Sequence, residues 1–503
     1  MTEHVPLTAG EAGPLESGLR ATPTAASRLL MVLVIGVLCV LTLLFAWRVS
    51  AHVAYPYPLD NGEGVALNSM WLSAQQKPFY GEITDPPYVF TVYNPLMIYL
   101  GGLSMRLLGV CPMGPRLVAA AFHLGLSAVV FLFVRRETKI LSAGLVAALF
   151  ILVERHLFSR AGYAVVDYSA IFFSILGLYL WRGGGRGRFW ALGAFTLAFF
   201  SKQTSLMAAA ACFAALFLEG RRGASVLFFL GFLALVAGGL AICRGLYGPA
   251  YFLNAYSYIS TAPVVLKHSL VRTAIVIVLY VVPFAAAVRW SRQVRHNRRL
   301  ILPTAYLFFA LLLTLTSGKI GASRSYFFDL ACALSIFVGL LWAKFVLTSR
   351  AGKLTGAMVV GVVLQLFLTC VGTLYHLSPS GDLSEAGLQR DRKISRVYEE
   401  SCGLVLTRDH GFGLGTNSQN LGSDLYQLTL MIEANRFPLD LCTAPLKNGS
   451  VSTVIMPEEE GSWVLFGPEL RELVKKNYRP LRSFGCETVY VPKTGEKAGR
   501  IER

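Results

Sequence analysis

The sequence predicts a polytopic α-helical membrane protein. Three observations predict it: 54% of the residues are hydrophobic, only 15% are charged, and the apolar residues fall in long runs, with a mean hydropathy of +0.54. Ordinary soluble domains carry about 25% charged residues. Lipid accounts for the deficit, because apolar surface that faces acyl chains needs no polar cover. The runs 29–47, 117–134, 224–242, 273–288 and 354–374 approach the ~20 apolar residues that a helix needs to cross the hydrocarbon.

The first run follows a polar leader, 1–27, and no small-residue cleavage site follows it, so it reads as a retained transmembrane helix behind a cytoplasmic tail, 1–28. Trp47-Arg48 closes it as an interfacial anchor. The net charge of +17 would suggest nucleic acid in a soluble protein. Here the bases cluster at the ends of apolar runs, the pattern of topology signals, and nucleic-acid binding is not expected. With the N-terminus cytoplasmic, the clusters fall at every second loop: Arg135-Arg136 with Lys139; Arg182, Arg186 and Arg188; Arg221-Arg222; Arg289 through Arg299; and Lys344, Arg350 and Lys353. The intervening loops are longer and of mixed charge. Counting spans between the clusters predicts about eleven transmembrane helices and an external C-terminus. The short segment Pro95–Leu108 is expected to lie at the interface, within a first external loop of 49–114.

The transmembrane core is expected over 29–374. From Tyr375 the composition becomes that of a soluble domain, and 375–503 reads as a small external α/β domain. The segments 404–407, 453–456 and 488–491 read as buried strands, and 425–434 and 468–477 as helices. Cys39, Cys212, Cys243, Cys332 and Cys370 fall inside expected spans, and no CxxC or Cys/His spacing suggests zinc. Cys402, Cys442 and Cys486 allow one disulfide in an oxidising compartment. Asp409 and His410 lie together there without a catalytic serine or cysteine motif.

The first external loop carries the most chemistry. In Tyr57-Pro58-Leu59-Asp60-Asn61-Gly62-Glu63-Gly64, two carboxylates three apart open a helix. Spacing alone favours helix capping. Yet Phe79, Tyr80, Pro86-Pro87-Tyr88, Tyr93 and Pro95 exceed what a cap needs, and aromatic walls suit a sugar or a lipid headgroup. Elsewhere on the external side, Asp167 stands at the edge of an apolar run, where a carboxylate is costly unless paired or functional; Arg160 is a candidate partner. Lys202, Lys319 and Arg324, with Arg155 and Arg160 behind them, are cations placed to meet a phosphate, or simply to reach the interface by snorkelling. Asp329 reads as structural, and the tyrosines of 251–258 as interfacial anchors or a sugar platform.

The segment LDNGEGVALNSMWLSAQQKPFY, followed by PPYVFTVYNPLMIYLGGLSMRLLG, resembles the first periplasmic loop of the GT-C glycosyltransferases. The nearest likeness is to the bacterial branch of protein O-mannosyltransferases and lipid A aminoarabinose transferases. RAGYAVVDYSAIFFSILGLYLWR, LGAFTLAFFSKQTSL and GASRSYFFDL are similar to that family's later external turns and span ends. The resemblance implies an inverting transferase of the bacterial inner membrane, moving a sugar from a polyprenyl-phosphate donor to an extracytoplasmic hydroxyl of a protein, lipid or polysaccharide. It gives the role of base to Asp60 or Glu63, with Asp60 favoured; the family commonly shows adjacent Asp-Glu, whereas Asn61-Gly62 separate them here. It makes Asp167 a second acid that positions substrate or metal. Lys202, Arg324, Lys319, Arg160, Tyr88 and Tyr93 become substrate or lipid-phosphate contacts. A divalent cation shared by Asp60, Glu63 and Asp167 is compatible with oxygen ligation. The competing expectations are a flippase or transporter of lipid-linked glycans, disfavoured by the lack of repeats or expected broken helices, and a non-catalytic assembly subunit.

Overall fold

The computed structural model describes residues 25–321, 324–347, 353–375, 383–408, 410–457, 467–484 and 487–493. Most of the leader, with Asp409 and Cys486, lies outside the described residues. Among the described residues, sixteen α-helices precede the C-terminal region: α1 (Ala25–Ala54), α2 (Asn61–Ala74), α3 (Pro95–Leu108), α4 (Met113–Thr138), α5 (Leu141–Val153), α6 (Arg155–Ser159), α7 (Asp167–Trp181), α8 (Gly185–Ser201), α9 (Met207–Leu218), α10 (Arg222–Tyr247), α11 (Ala250–Phe252), α12 (Leu266–Leu279), α13 (Val281–Ser291), α14 (Ile301–Thr314), α15 (Phe328–Leu347) and α16 (Lys353–Tyr375).

Among the described residues, Arg28–Ala54, Met113–Thr138, Arg222–Tyr247 and Arg324–Leu347 are long and apolar enough to cross a membrane singly. Charge alternation predicts about eleven crossings, and the two counts part at the short helices. Of these, α5, α7, α8 and α9 run only 12 to 17 residues, less than a full hydrocarbon thickness. A further pair, α12 and α13, makes one span only if a 90° bend is allowed. This break was not expected from sequence. Tyr280 takes a non-helical conformation there, and Pro283 lacks the amide that would bond the carbonyl of Leu279.

Burial sorts the long helices by neighbour. The span of α15 is 83% buried, against 22% for α1 and 17% for α10. The central position of α15 follows from its small residues: Gly339 lets Val134 of α4 and Ala143 of α5 approach its backbone, and Ser335 donates to Ala147 O at 2.9 Å. The outer helices present leucines such as Leu227 and Leu43, each more than two-thirds exposed, as a lipid-facing surface should. The basic clusters gather at one end of the bundle, where Arg182 bonds both Glu137 oxygens and the carbonyl of Arg299. The acids of the first loop and of α7 lie at the other end.

The C-terminal region contains α17 (Glu385–Glu400), β1 (Leu404–Thr407), β2 (Gln419–Asn420), α18 (Leu425–Glu433), α19 (Leu439–Lys447), β3 (Val451–Pro457), α20 (Gly467–Asn477), β4 (Tyr478–Phe484) and β5 (Glu487–Pro492). The sheet runs β2-β1-β3-β5-β4, parallel across β2-β1-β3 and antiparallel beyond. β3 is buried along its whole length, as a covered central strand requires. This region is seated on the first loop. Tyr88 N donates to Leu421 O at 2.8 Å, Ser423 N returns a bond to Tyr88 O at 2.9 Å, and Ile83, Tyr88, Phe90 and Val92 join one apolar core with Leu406, Leu425 and Val454.

Candidate active site

Asp60 caps α2. Its backbone is extended (φ −155°, ψ 171°), and its Oδ1 accepts the Glu63 amide at 2.7 Å, the geometry of an N-cap. That is the capping expected from spacing, and it leaves Oδ2 available. Arg160 Nη1 meets Oδ2 at 2.6 Å, and the two side chains keep 28% and 31% of their surface exposed. The carboxylate is therefore held at a helix N-terminus and open to solvent on one side.

Glu63 has a different position. It is fully buried, and four donors saturate it: Arg116 Nε and Nη2 at 2.8 Å each, Ala164 N at 2.7 Å and Leu59 N at 2.6 Å. Arg116, also fully buried, further donates to the carbonyls of His52, Tyr55 and Tyr57. The pair ties the end of α1, the Asp60 loop, the start of α4 and the loop before α7 into one knot. Arg116 escaped the sequence reading because an arginine heading an apolar run looks like an interfacial anchor.

Asp167 and Lys202 form a second pair. Lys202 Nζ lies 2.5 Å from Asp167 Oδ1, 3.0 Å from Ser325 Oγ and 5.0 Å above the Tyr326 ring. Each keeps 16% exposure. Arg160, whose guanidinium lies 5.4 Å from the Tyr163 ring centre, is within electrostatic reach of Asp167 as well as Asp60, so it links the two pairs. Arg160 was the partner expected for Asp167; the closest contact of Asp167 is instead Lys202. The Tyr93 hydroxyl feels Asp167, Asp424, Arg160 and Asp60, and burial together with these acids raises its pKa well above the usual phenol value. Burial and neighbouring Asp60 likewise push the Tyr163 hydroxyl up to about 12.

Arg324 is exposed and lies near Arg155 and Arg160. Among the described residues, neither Arg155 nor Arg324 has an ion-pair partner, so positive charge is left in excess beside the acids. Lys319 stands apart, donating to Ile259 O at 2.5 Å; burial and the charge of Lys202 lower its pKa. Tyr88 is not brought to the cluster. It is 1% exposed, donates to Leu441 O at 2.5 Å and packs edge-on against Phe437. The tyrosines of 251–258 are also engaged internally: Tyr251 bonds Asn94 at 2.8 Å, while Tyr258 O accepts from Gln427 of α18 at 2.7 Å. Asp329 accepts the Tyr306 hydroxyl at 2.9 Å.

The three acids do not converge. Each is committed to a different base, and among the described residues no three His, Cys, Asp or Glu side chains lie together as a metal-ligand set. This arrangement does not fit a shared divalent ion.

Comparison with protein-family models and with curated proteins gives no match. Comparison with solved structures does. ArnT from Cupriavidus metallidurans bound to undecaprenyl phosphate superposes with a TM-score of 0.59 at 14% identity, over 95% of this chain and 100% of that one. Apo ArnT from the same organism gives 0.58 at 14% identity, over 93% of this chain and 98% of that one. The apo Archaeoglobus fulgidus oligosaccharyltransferase gives 0.52 at 13% identity, over 92% and 75%. The chain shares the fold of these two proteins. The alignment to ArnT spans nearly all of both chains and so is not confined to the helices. At such low identity the shared property is the fold, and the chemistry rests on the residues described above.

Proposed function

We propose that this protein is a membrane glycosyltransferase that moves a sugar from a polyprenyl-phosphate donor to an acceptor hydroxyl on the extracytoplasmic side of a bacterial inner membrane. The observation that carries the reading is the linked pair of ion pairs, Asp60–Arg160 and Asp167–Lys202, with Arg155 and Arg324, unpaired among the described residues, beside them, at one end of a GT-C fold. The ArnT structure bound to undecaprenyl phosphate supports a polyprenyl-phosphate partner.

In this reading the incoming phosphate competes with Asp60 for Arg160, and Arg324, Arg155 and Lys202 complete its cation shell. Asp60, released from its counter-ion, takes the acceptor proton as the acceptor oxygen attacks the anomeric carbon. The bond between that carbon and the phosphate oxygen breaks, its electron pair stays on the phosphate, and the anomeric centre inverts. The cations sit where the phosphate charge develops, the position in which electrostatic stabilisation counts most. Asp167 holds Lys202 in place, and Tyr93 walls the site. Glu63 is saturated, so its part is to fix the loop that carries Asp60. The basic end of the bundle faces the cytoplasm.

Replacing Asp60 with Asn keeps an N-cap and removes the base. Transfer from a polyprenyl-phosphate sugar by purified protein is expected to fall roughly 10²- to 10⁴-fold. A folded Asp60→Asn protein that retains full transfer would falsify the assignment. Movement of the intact donor across liposomes, without transfer, would favour the flippase reading, to which the bend between α12 and α13 lends its one structural feature.

A further inference from the structure

The bend between α12 and α13 puts Tyr280 inside the bundle. Val278 and Val281 beside it are more than half exposed, whereas Tyr280 is 3% exposed. Its hydroxyl donates to Glu154 Oε1 at 2.6 Å and accepts the Arg155 amide at 3.3 Å. Glu154, 1% exposed, is the N-cap of α6. Its carboxylate also accepts the amides of His156 at 2.9 Å and Leu157 at 3.1 Å, and bonds His156 Nδ1 at 2.7 Å. The phenol thus grips the Glu154 side chain and the next amide, at the point where α5 gives way to α6.

α6 is a single turn of five residues, too short to hold its own place, because helix nucleation is unfavourable and one turn gains few bonds. Its direction comes from its anchors. Tyr168 donates to Leu157 O at 2.7 Å and Arg48 to Ser159 O at 2.9 Å, which fixes its middle and its end. Tyr280 and Glu154 fix its start. That start carries Arg155, half-buried, beside Arg324 and without an ion-pair partner among the described residues. We propose that Tyr280 is a positioning residue of the phosphate site, which holds Arg155 towards the donor phosphate through Glu154 and the Arg155 amide. The inference rests on the phosphate shell assigned above. It also gives the bend a use that needs no transport: the break delivers a hydroxyl to a buried carboxylate.

The test measures binding of undecaprenyl phosphate to the purified full-length protein in a neutral detergent, by native mass spectrometry. Arg155→Gln is expected to weaken binding about tenfold, as loss of one charge-assisted hydrogen bond implies. Tyr280→Phe, which keeps the ring and removes the hydroxyl, should weaken it roughly three- to tenfold. The double variant should bind no more weakly than Arg155→Gln alone, because Tyr280 then has no cation left to hold. Effects that multiply, or a Tyr280→Phe protein that binds as the wild type does, overturn the proposal. So does a wild-type protein that does not bind the lipid. Ser335→Ala removes a buried hydrogen bond elsewhere in the bundle and should leave binding unchanged; a loss equal to that of Tyr280→Phe would mean general loosening and overturn the assignment as well. Transfer is assayed separately: if the binding pattern holds and no sugar moves, the transferase reading fails and Tyr280 keeps its role.

Discussion

Two carboxylates three residues apart end up with opposite fates, and the difference is burial. Asp60 keeps about a third of its side chain in solvent and one cation on one oxygen. Glu63 has no solvent and no free lone pair, its charge being matched by a guanidinium in bidentate contact. Breaking a buried pair by removing one partner typically costs 3–5 kcal/mol, so Arg116→Met is expected to destabilise by roughly that amount. The unfolding midpoint in detergent measures it. The double variant with Glu63→Leu should recover only part of the loss, because it orphans the amides of Leu59 and Ala164; full recovery would mean the knot is merely ionic. Arg324 is the contrasting case. It is exposed and unpaired among the described residues, so Arg324→Gln should leave stability unchanged while raising KM for a lipid-linked donor about tenfold, the worth of a charge-assisted hydrogen bond. An unaltered KM would remove Arg324 from the phosphate shell.

At the scale of elements, the decisive contact is between the first turn of α2 and the C-terminal domain. A side chain at Gly64 would place its Cβ 1.9 Å from the carbonyl oxygen of His410, and backbone cannot yield as a flexible side chain can. Stacking of Tyr57 on Phe412 and the bond from Tyr55 to Asp391 at 2.7 Å hold the same seam. Gly64→Ala is therefore expected to cost about 1–3 kcal/mol and to loosen the domain, which limited proteolysis around residues 410–423 would reveal; a protease pattern identical to wild type would show that the seam absorbs the methyl. Several elements of this domain were legible in the sequence. The strand expected at 404–407 is β1, those at 453–456 and 488–491 lie within β3 and β5, and both expected helices form. What the pattern did not disclose is β4, an edge strand whose inner residues from Arg479 to Ser483 are all at least partly exposed and whose register is broken between Pro480 and Arg482, or the partnership of Tyr88 with this domain. Tyr88 precedes its core partners by more than three hundred residues, and no local periodicity encodes a contact of that range.

At the scale of the whole molecule, the domain seam carries a titratable group. His410 is buried, accepts from the Leu425 amide at 3.2 Å, and desolvation lowers its pKa to about 4. Below its ordinary value of about 6.5 the unfolded chain takes up a proton that the folded chain refuses. Stability is therefore full above about pH 6.5 and declines as pH falls towards about 4, by on the order of 3 kcal/mol. A series of unfolding midpoints from pH 7.5 to 4 should show this slope, and His410→Gln should flatten it. An equal slope in both proteins would assign the acid sensitivity to other groups.

By itself the sequence determined the class of the molecule: an apolar, charge-poor chain whose bases sit at alternate loops has to be a multi-pass helical membrane protein, because only lipid makes such a composition stable. It also determined where acids and bases accumulate, since charge must leave the hydrocarbon at the ends of apolar runs. Tertiary structure alone decided which of those charges are spent on one another. Arg116 is committed to Glu63 and Lys202 to Asp167, and Asp60 retains an open face. Such pairings join residues 35 to 100 positions apart, and their strength depends on burial, a property of the packed helices that no stretch of sequence carries alone.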